Sequence, residues 1–117
     1  MFAGTGMKKG DSIPKLVGWE YHGVPNGDQP GLTILAMAPT RPRDNRDLNA
    51  RNPHTSTIYE LPKGSFVFDA GTCWWNMVLS TPPGFMNPPR RDFKPDPRVQ
   101  RITANLLKRM IQEKAIR

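Results

Sequence analysis

The stretch "GSFVFDAGTCWWNMVLSTPPG", residues 64–84, opens as an apolar run, breaks at Asp69-Ala70-Gly71-Thr72, and then sets Trp74 and Trp75 side by side. A run of β-branched and aromatic residues closed by Asp, Gly and Thr reads as a strand ending in a turn. "PKG" (62–64) precedes it, and "HTSTIYEL" (54–61) precedes that, so two strands close in sequence predict an antiparallel hairpin. Gly71-Thr72 then offers an N-cap, with Thr72 capping a short helix over 73–79 that stops before Pro82-Pro83. The tryptophans are expected to seat that helix on its neighbour, with partners for their indole N–H groups.

Upstream, "KLVGWEYHG" (15–23) mixes Val, Trp and Tyr ahead of the turn-rich "VPNGDQPG", and reads as a strand running into a loop. "LTILAMA" (32–38) is continuously apolar between Gly31 and Pro39, the pattern of a strand buried on both faces. Residues 1–13 are Gly-rich and polar, and 39–53 and 82–96 are proline-rich without periodicity; all three read as loops. Asp96-Pro97 opens the last element as an N-cap followed by proline at the first helical position. Val99, Ile102, Leu106 and Met110, with Thr103, Leu107 and Ile111, recur at helical steps, while Arg98, Arg101, Lys108 and Arg109 cover the other face. About four strands, a short helix and a long amphipathic C-terminal helix make the expected class α/β.

Composition narrows the functional classes. The chain has 117 residues, enough for one small domain, but only 37% of them are hydrophobic and the mean hydropathy is −0.59. Thirteen prolines and ten glycines punctuate it without a period. An independent domain with so little regular structure would be marginal, which points to a piece of something larger. Net charge is +7, a balance that attracts phosphate or acidic surfaces. The basic residues are nevertheless spread: Arg41, Arg43, Arg46 and Arg51 share their loop with Asp44 and Asp47. No RGG repeat, zinc-knuckle spacing or aromatic-interleaved basic strand is present, so a solvated face is preferred to nucleic-acid binding. The one cysteine, Cys73, excludes an internal disulfide and fits a reducing compartment. "MFAGTGMKKGDSIP" lacks the pattern of a signal peptide, and no apolar run reaches the length of a membrane span, so a cytoplasmic location is expected.

Three places could carry chemistry. If "GWEYHG" is a strand, Glu20 and His22 share a face, and a carboxylate beside an imidazole can serve as an acid–base couple or as two metal ligands. The alternative is a hydrogen-bonded strand end, and His54 is the only other histidine. Asp69-Ala70-Gly71-Thr72 stands at a strand-to-helix junction, where ligands often bind, but it lacks phosphate-loop spacing, and Asp69 is read as a brace of the turn. Cys73, one residue into the expected helix, lacks the small neighbours a nucleophile elbow needs, and bulky Trp74 and Trp75 follow it.

Taken together, "LVGWEYHG", "HTSTIYELPKGSFVFDAGTCWW" and "DPRVQRITANLLKRM" resemble the C-terminal end of the N,N-dimethylformamidase large-subunit-like family. The residues carrying the likeness are Gly64, Val67, Phe68, Ala70, Gly71, Thr72 and Trp75, then Arg101, Ile102, Thr103, Asn105, Leu106, Leu107 and Arg109 in "RITxNLLxR", and it spans roughly residues 14–112. The resemblance implies a partial glutamine-amidotransferase-like (flavodoxin-like) domain. It implies that 1–117 is a single C-terminal domain or fragment of a larger amidohydrolase-like subunit, inactive alone. The family enzyme hydrolyses a small tertiary formamide to formate and dimethylamine. It uses an iron held by two tyrosines and a glutamate, expected upstream of this segment, so Tyr21 and Tyr59 are not promoted to ligands. An acidic residue of the C-terminal part is expected at the active site. Glu20 is the match, as general base or water-orienting group, with His22 in support.

The partners so implied are the remainder of the large subunit, further copies of the chain and a small subunit, with neither nucleic acid nor membrane. An amidotransferase-like sheet is parallel and has five or more strands. "MFAGTG" reads into the middle of such a domain, and the exposed apolar faces of "LTILAMA" and the last helix would favour association. A non-catalytic scaffold or assembly module of the same fold is the alternative. A basic anion or nucleic-acid binder through Arg41, Arg43 and Arg46 is the weaker one.

Overall fold

In the computed structural model, residues 1–18, 20–40, 53–81, 84, 86 and 92–115 are described. The basic loop with Arg41, Arg43, Arg46 and Arg51 lies outside them, as do Pro82, Pro83 and most of 85–91. The chain divides into two compact units: Val17–Cys73, and Met1–Leu16 joined by Trp74–Arg117.

The first unit is a three-stranded antiparallel sheet in the order β1-β2-β3, formed by Leu32–Ala38, His54–Glu60 and Phe66–Asp69. The expected hairpin is present: β2 pairs with β3 from Glu60↔Phe66 to Thr57↔Asp69, and the 61–65 turn is closed by Leu61 N–H to the Ser65 carbonyl at 2.8 Å. The sheet is antiparallel throughout its described strands, not parallel. The described residues of 15–23 add no fourth strand; they contribute an isolated bridge, Tyr21↔Thr72. Lys15 and Glu20 both have positive φ, 65° and 59°, which turns the chain out of an extended path.

The burial of the strands corrects a second expectation. β1, the apolar "LTILAMA", is not buried on both faces: Ile34 and Met37 are exposed, the latter by 56%. It is an edge of the described sheet, and its pairing slips between Ile34 and Ala36, leaving Leu35 as a bulge of the kind that edges carry. The central strand is the more polar β2, whose residues His54 to Ile58 are all buried. Gly31, at φ 87°, lets the chain enter β1 against β2; a Cβ there would fall 2.6 Å from the Glu60 carbonyl oxygen.

In the second unit the expected helix is α1, Pro97–Ala115. Asp96 caps it: its Oδ1 accepts from the Arg98 backbone N–H at 2.8 Å, and its two oxygens accept from the Arg98 guanidinium at 3.0 and 2.6 Å. Those side-chain hydrogen bonds hold the Asp96 carboxyl below its ordinary pKa against the opposing effect of burial, and they raise that of Arg98. Val99, Ile102 and Leu106 are buried, but the continuation of the stripe, Leu107, Met110 and Ile111, is exposed. Asn105 donates to the Met1 and Ala3 carbonyls at 2.7 and 2.8 Å and ties the N-terminal loop to the helix.

The short helix after the Trp pair is a 3-10 turn, Asn76–Val78, and Thr72 does not cap it. Thr72 is instead drawn into the bridge with Tyr21. The tryptophans do pack this unit. Trp74 lies edge-on to Phe93 with ring centroids 5.1 Å apart, in a core with Leu16, Val78 and Val99, and Trp75 Nε1–H donates to Thr103 Oγ1 at 3.1 Å.

Candidate functional site

Within the Val17–Cys73 unit, three pieces of chain converge: the start of β2, the turn after β3, and residues 20–23. Backbone bonds lock them. His22 N–H donates to the Gly71 carbonyl at 2.9 Å, and Thr55 N–H donates to the His22 carbonyl at 3.0 Å. Thr55 Oγ1 donates to the Gly23 carbonyl at 2.6 Å. The turn can sit this close only because residue 71 is glycine. It has φ 68°, and an added Cβ would lie 2.0 Å from the Thr55 carbonyl oxygen.

This arrangement delivers His22 to Asp69. One carboxylate oxygen, Oδ1, accepts from the Gly71 N–H at 2.8 Å, an Asx turn, and the other, Oδ2, pairs with His22 Nδ1. Asp69 therefore does brace the turn, as its position suggests, and it also holds the imidazole. The two side chains are 68% and 39% exposed, so the pair contributes little to stability. Its consequence is orientation. With the carboxylate accepting at Nδ1, the neutral ring keeps its proton there and leaves the Nε2 lone pair free to take another. That is the arrangement in which an imidazole serves as a general base.

Glu20 and His22 do not share a strand face, because Glu20 stands in left-handed backbone and is exposed. Left-handed φ at a residue other than glycine costs on the order of 1 kcal/mol and persists where its surroundings impose it, often at functional sites. Tyr21 Oη accepts from Thr40 Oγ1 at 3.0 Å. Behind the turn, His54 Nε2–H donates to the Ala70 carbonyl at 3.0 Å and Ser56 Oγ–H donates to the same oxygen at 2.7 Å. His54 is 5% exposed, and its Nδ1 is buried without a hydrogen-bond partner.

Sequence reasoning placed Glu20 and His22 in this region but missed the partnership of His22 with Asp69, and it passed over His54. His22 and Asp69 stand 47 positions apart and meet through the β2–β3 hairpin, which a reading of spacing alone does not reveal. Cys73 is exposed.

Among the described residues no three His, Cys, Asp or Glu side chains come together as a metal site. A groove of about 580 Å³ runs beside β1, lined by Val24, Asp28, Gln29, Leu32 and Ile34 among others, and contains neither His22 nor Asp69. No helix among the described residues is long and apolar enough to cross a membrane.

No curated protein and no solved structure matches the chain. A family profile described as N,N-dimethylformamidase beta subunit-like, C-terminal, matches residues 1–90, which takes in Glu20, His22, His54 and Asp69 and stops short of α1. The "RITxNLLxR" motif of α1 thus lies beyond the match. With most of its length covered by that profile, the chain belongs to the N,N-dimethylformamidase beta subunit-like, C-terminal family.

Proposed function

We propose that this chain is the C-terminal part of a dimethylformamidase-type, iron-dependent amidohydrolase that cleaves the C–N bond of a small amide. In this reading Glu20 and His22 are the groups it brings to the reacting atoms. The observation that carries the proposal is the His22–Asp69 pair, built on a glycine-dependent turn inside the family-matched segment. Iron, in this reading, is held by residues outside this segment. The three antiparallel strands form one part of a larger amidotransferase-like sheet, completed by the remainder of the subunit. A small subunit and further copies of the chain are the other partners.

Amide hydrolysis has two proton demands. The attacking water must lose a proton, and the leaving amine must gain one, since an amide anion is too poor a leaving group. An exposed carboxylate at Glu20 orients the water and accepts its proton. His22, held by Asp69 through Nδ1, takes that proton on at its free Nε2, delivers it to the departing nitrogen and returns to the neutral tautomer that the carboxylate favours.

The test uses the complete iron-loaded subunit and formate release from N,N-dimethylformamide. Glu20→Gln and His22→Asn are expected to lower kcat by roughly 10²–10⁴-fold, with iron content unchanged. Wild-type rates in both variants would leave the chain a non-catalytic scaffold.

A further inference from the structure

We propose that His54 is a positioning residue for the His22–Asp69 pair, acting through the peptide plane between Ala70 and Gly71. The inference rests on the reading of His22 as the proton carrier. It starts from a cost. A buried histidine with one ring nitrogen unpartnered is a poor choice for a central strand, where valine or isoleucine would pack without penalty. What the imidazole supplies is its other nitrogen, the Nε2–H that donates to the Ala70 carbonyl. Ser56 Oγ–H donates to the same oxygen.

Two donors on one carbonyl fix the direction of that C=O. Because the peptide unit is planar, they also fix the Gly71 N–H on its opposite edge. That N–H holds Asp69 Oδ1, and Asp69 Oδ2 holds His22 Nδ1. The chain of constraint runs from His54 through the 70–71 peptide and Asp69 to His22, and each link outside the peptide plane is a hydrogen bond. Gly71 adds a steric link: a Cβ on it would fall 2.9 Å from His54 Nε2, so ring and turn already touch.

The experiment reads the tautomer of His22 by imidazole ¹⁵N–¹H NMR on the full chain, and kcat and KM on the complete subunit. In His54→Gln the amide nitrogen reaches the place of Nε2, whereas in His54→Asn the donor is too short. Expected are an Nδ1–H His22 and near-wild-type kcat in H54Q. In H54N, His22 shifts toward the Nε2–H form and kcat falls about tenfold at unchanged KM. Amide protection across Thr55–Ile58 monitors folding; should H54N not fold, Ser56→Ala, which removes the second donor to the same carbonyl, must move the His22 tautomer in the same direction. A His22 that stays Nδ1–H in H54N, or in S56A where that variant replaces it, overturns the proposal, as does an H54Q that loses the tautomer. Because the tautomer is read without turnover, a catalytically silent His22 would defeat the proposed function and leave this inference still judged by NMR.

Discussion

The unit of Met1–Leu16 with Trp74–Arg117 buries Leu16, Trp74, Val78, Phe93 and Val99, whereas the central strand of the Val17–Cys73 unit buries His54, Thr55, Ser56 and Thr57 in succession. The first is held by contact area, which is nondirectional and tolerant of chemistry so long as volume is kept. The second is held by hydrogen bonds to the backbone of residues 23 and 70, each of which has one correct partner and is costly to leave unmade. A carboxylate and an imidazole must be held in direction as well as in place, and only the second kind of interior does that. The candidate site is accordingly found in the polar unit.

The comparison predicts different modes of failure. Trp74→Ala removes the largest side chain of the apolar core and its edge contact with Phe93. It should destabilise the α1-containing unit by about 3–5 kcal/mol, read as lost amide protection over residues 97–106. Trp74→Phe, which keeps most of the volume, should recover much of it. If Phe fared no better than Ala, this interior would not be governed by volume. Gly71→Ala tests the other interior with a single methyl. Left-handed backbone and a 2.0 Å approach to the Thr55 carbonyl together should cost about 2–5 kcal/mol, measured by chemical denaturation and by protection across Thr55–Ile58. A neutral G71A would mean that the turn is not locked against β2, and the case for an oriented Asp69 would go with it.

How much of this was legible in the residues follows the same division. Apolar periodicity revealed α1, and Asp96-Pro97 marked its start to the residue, because caps and stripes are local. The β2–β3 hairpin was legible for the same reason. Hydropathy misassigned the strands, however. "LTILAMA" reads as more buried than "HTSTIYE", yet strand order makes the polar strand central and the apolar one an edge. Nothing in the local pattern of His54, Thr55 and Ser56 announces that carbonyls 14 or more positions away will accept from their side chains. Thr72 misled in a similar way, since a residue with good capping chemistry was claimed by a long-range bridge to Tyr21. Glu20 and His22 stood out by residue type, but their geometry depends on a left-handed turn and on Asp69, neither of which spacing encodes.

The smallest effect separates the units by pH. Asp96 is the charged group that begins α1, and Arg98 hydrogen bonds hold its folded pKa below the ordinary value near 3.8. A carboxyl depressed on folding adds stability that is present above its unfolded pKa and disappears as pH falls through the folded one. The protonated acid accepts poorly from the Arg98 N–H and no longer pairs with the guanidinium. Asp96→Ala should therefore destabilise the helical unit by about 1 kcal/mol at neutral pH, the usual worth of an N-cap, and the gap between wild type and variant should close as pH drops below about 4. Helical circular dichroism against denaturant at pH 7 and pH 3 makes the measurement. Asp96→Asn separates cap from charge: the amide oxygen can still accept from the Arg98 N–H, so D96N should keep part of the stability while losing its dependence on acid. If D96N instead titrated like wild type between pH 5 and 3, some other carboxylate would control the acid response, and the apolar unit would depend on charge elsewhere than at its helix start.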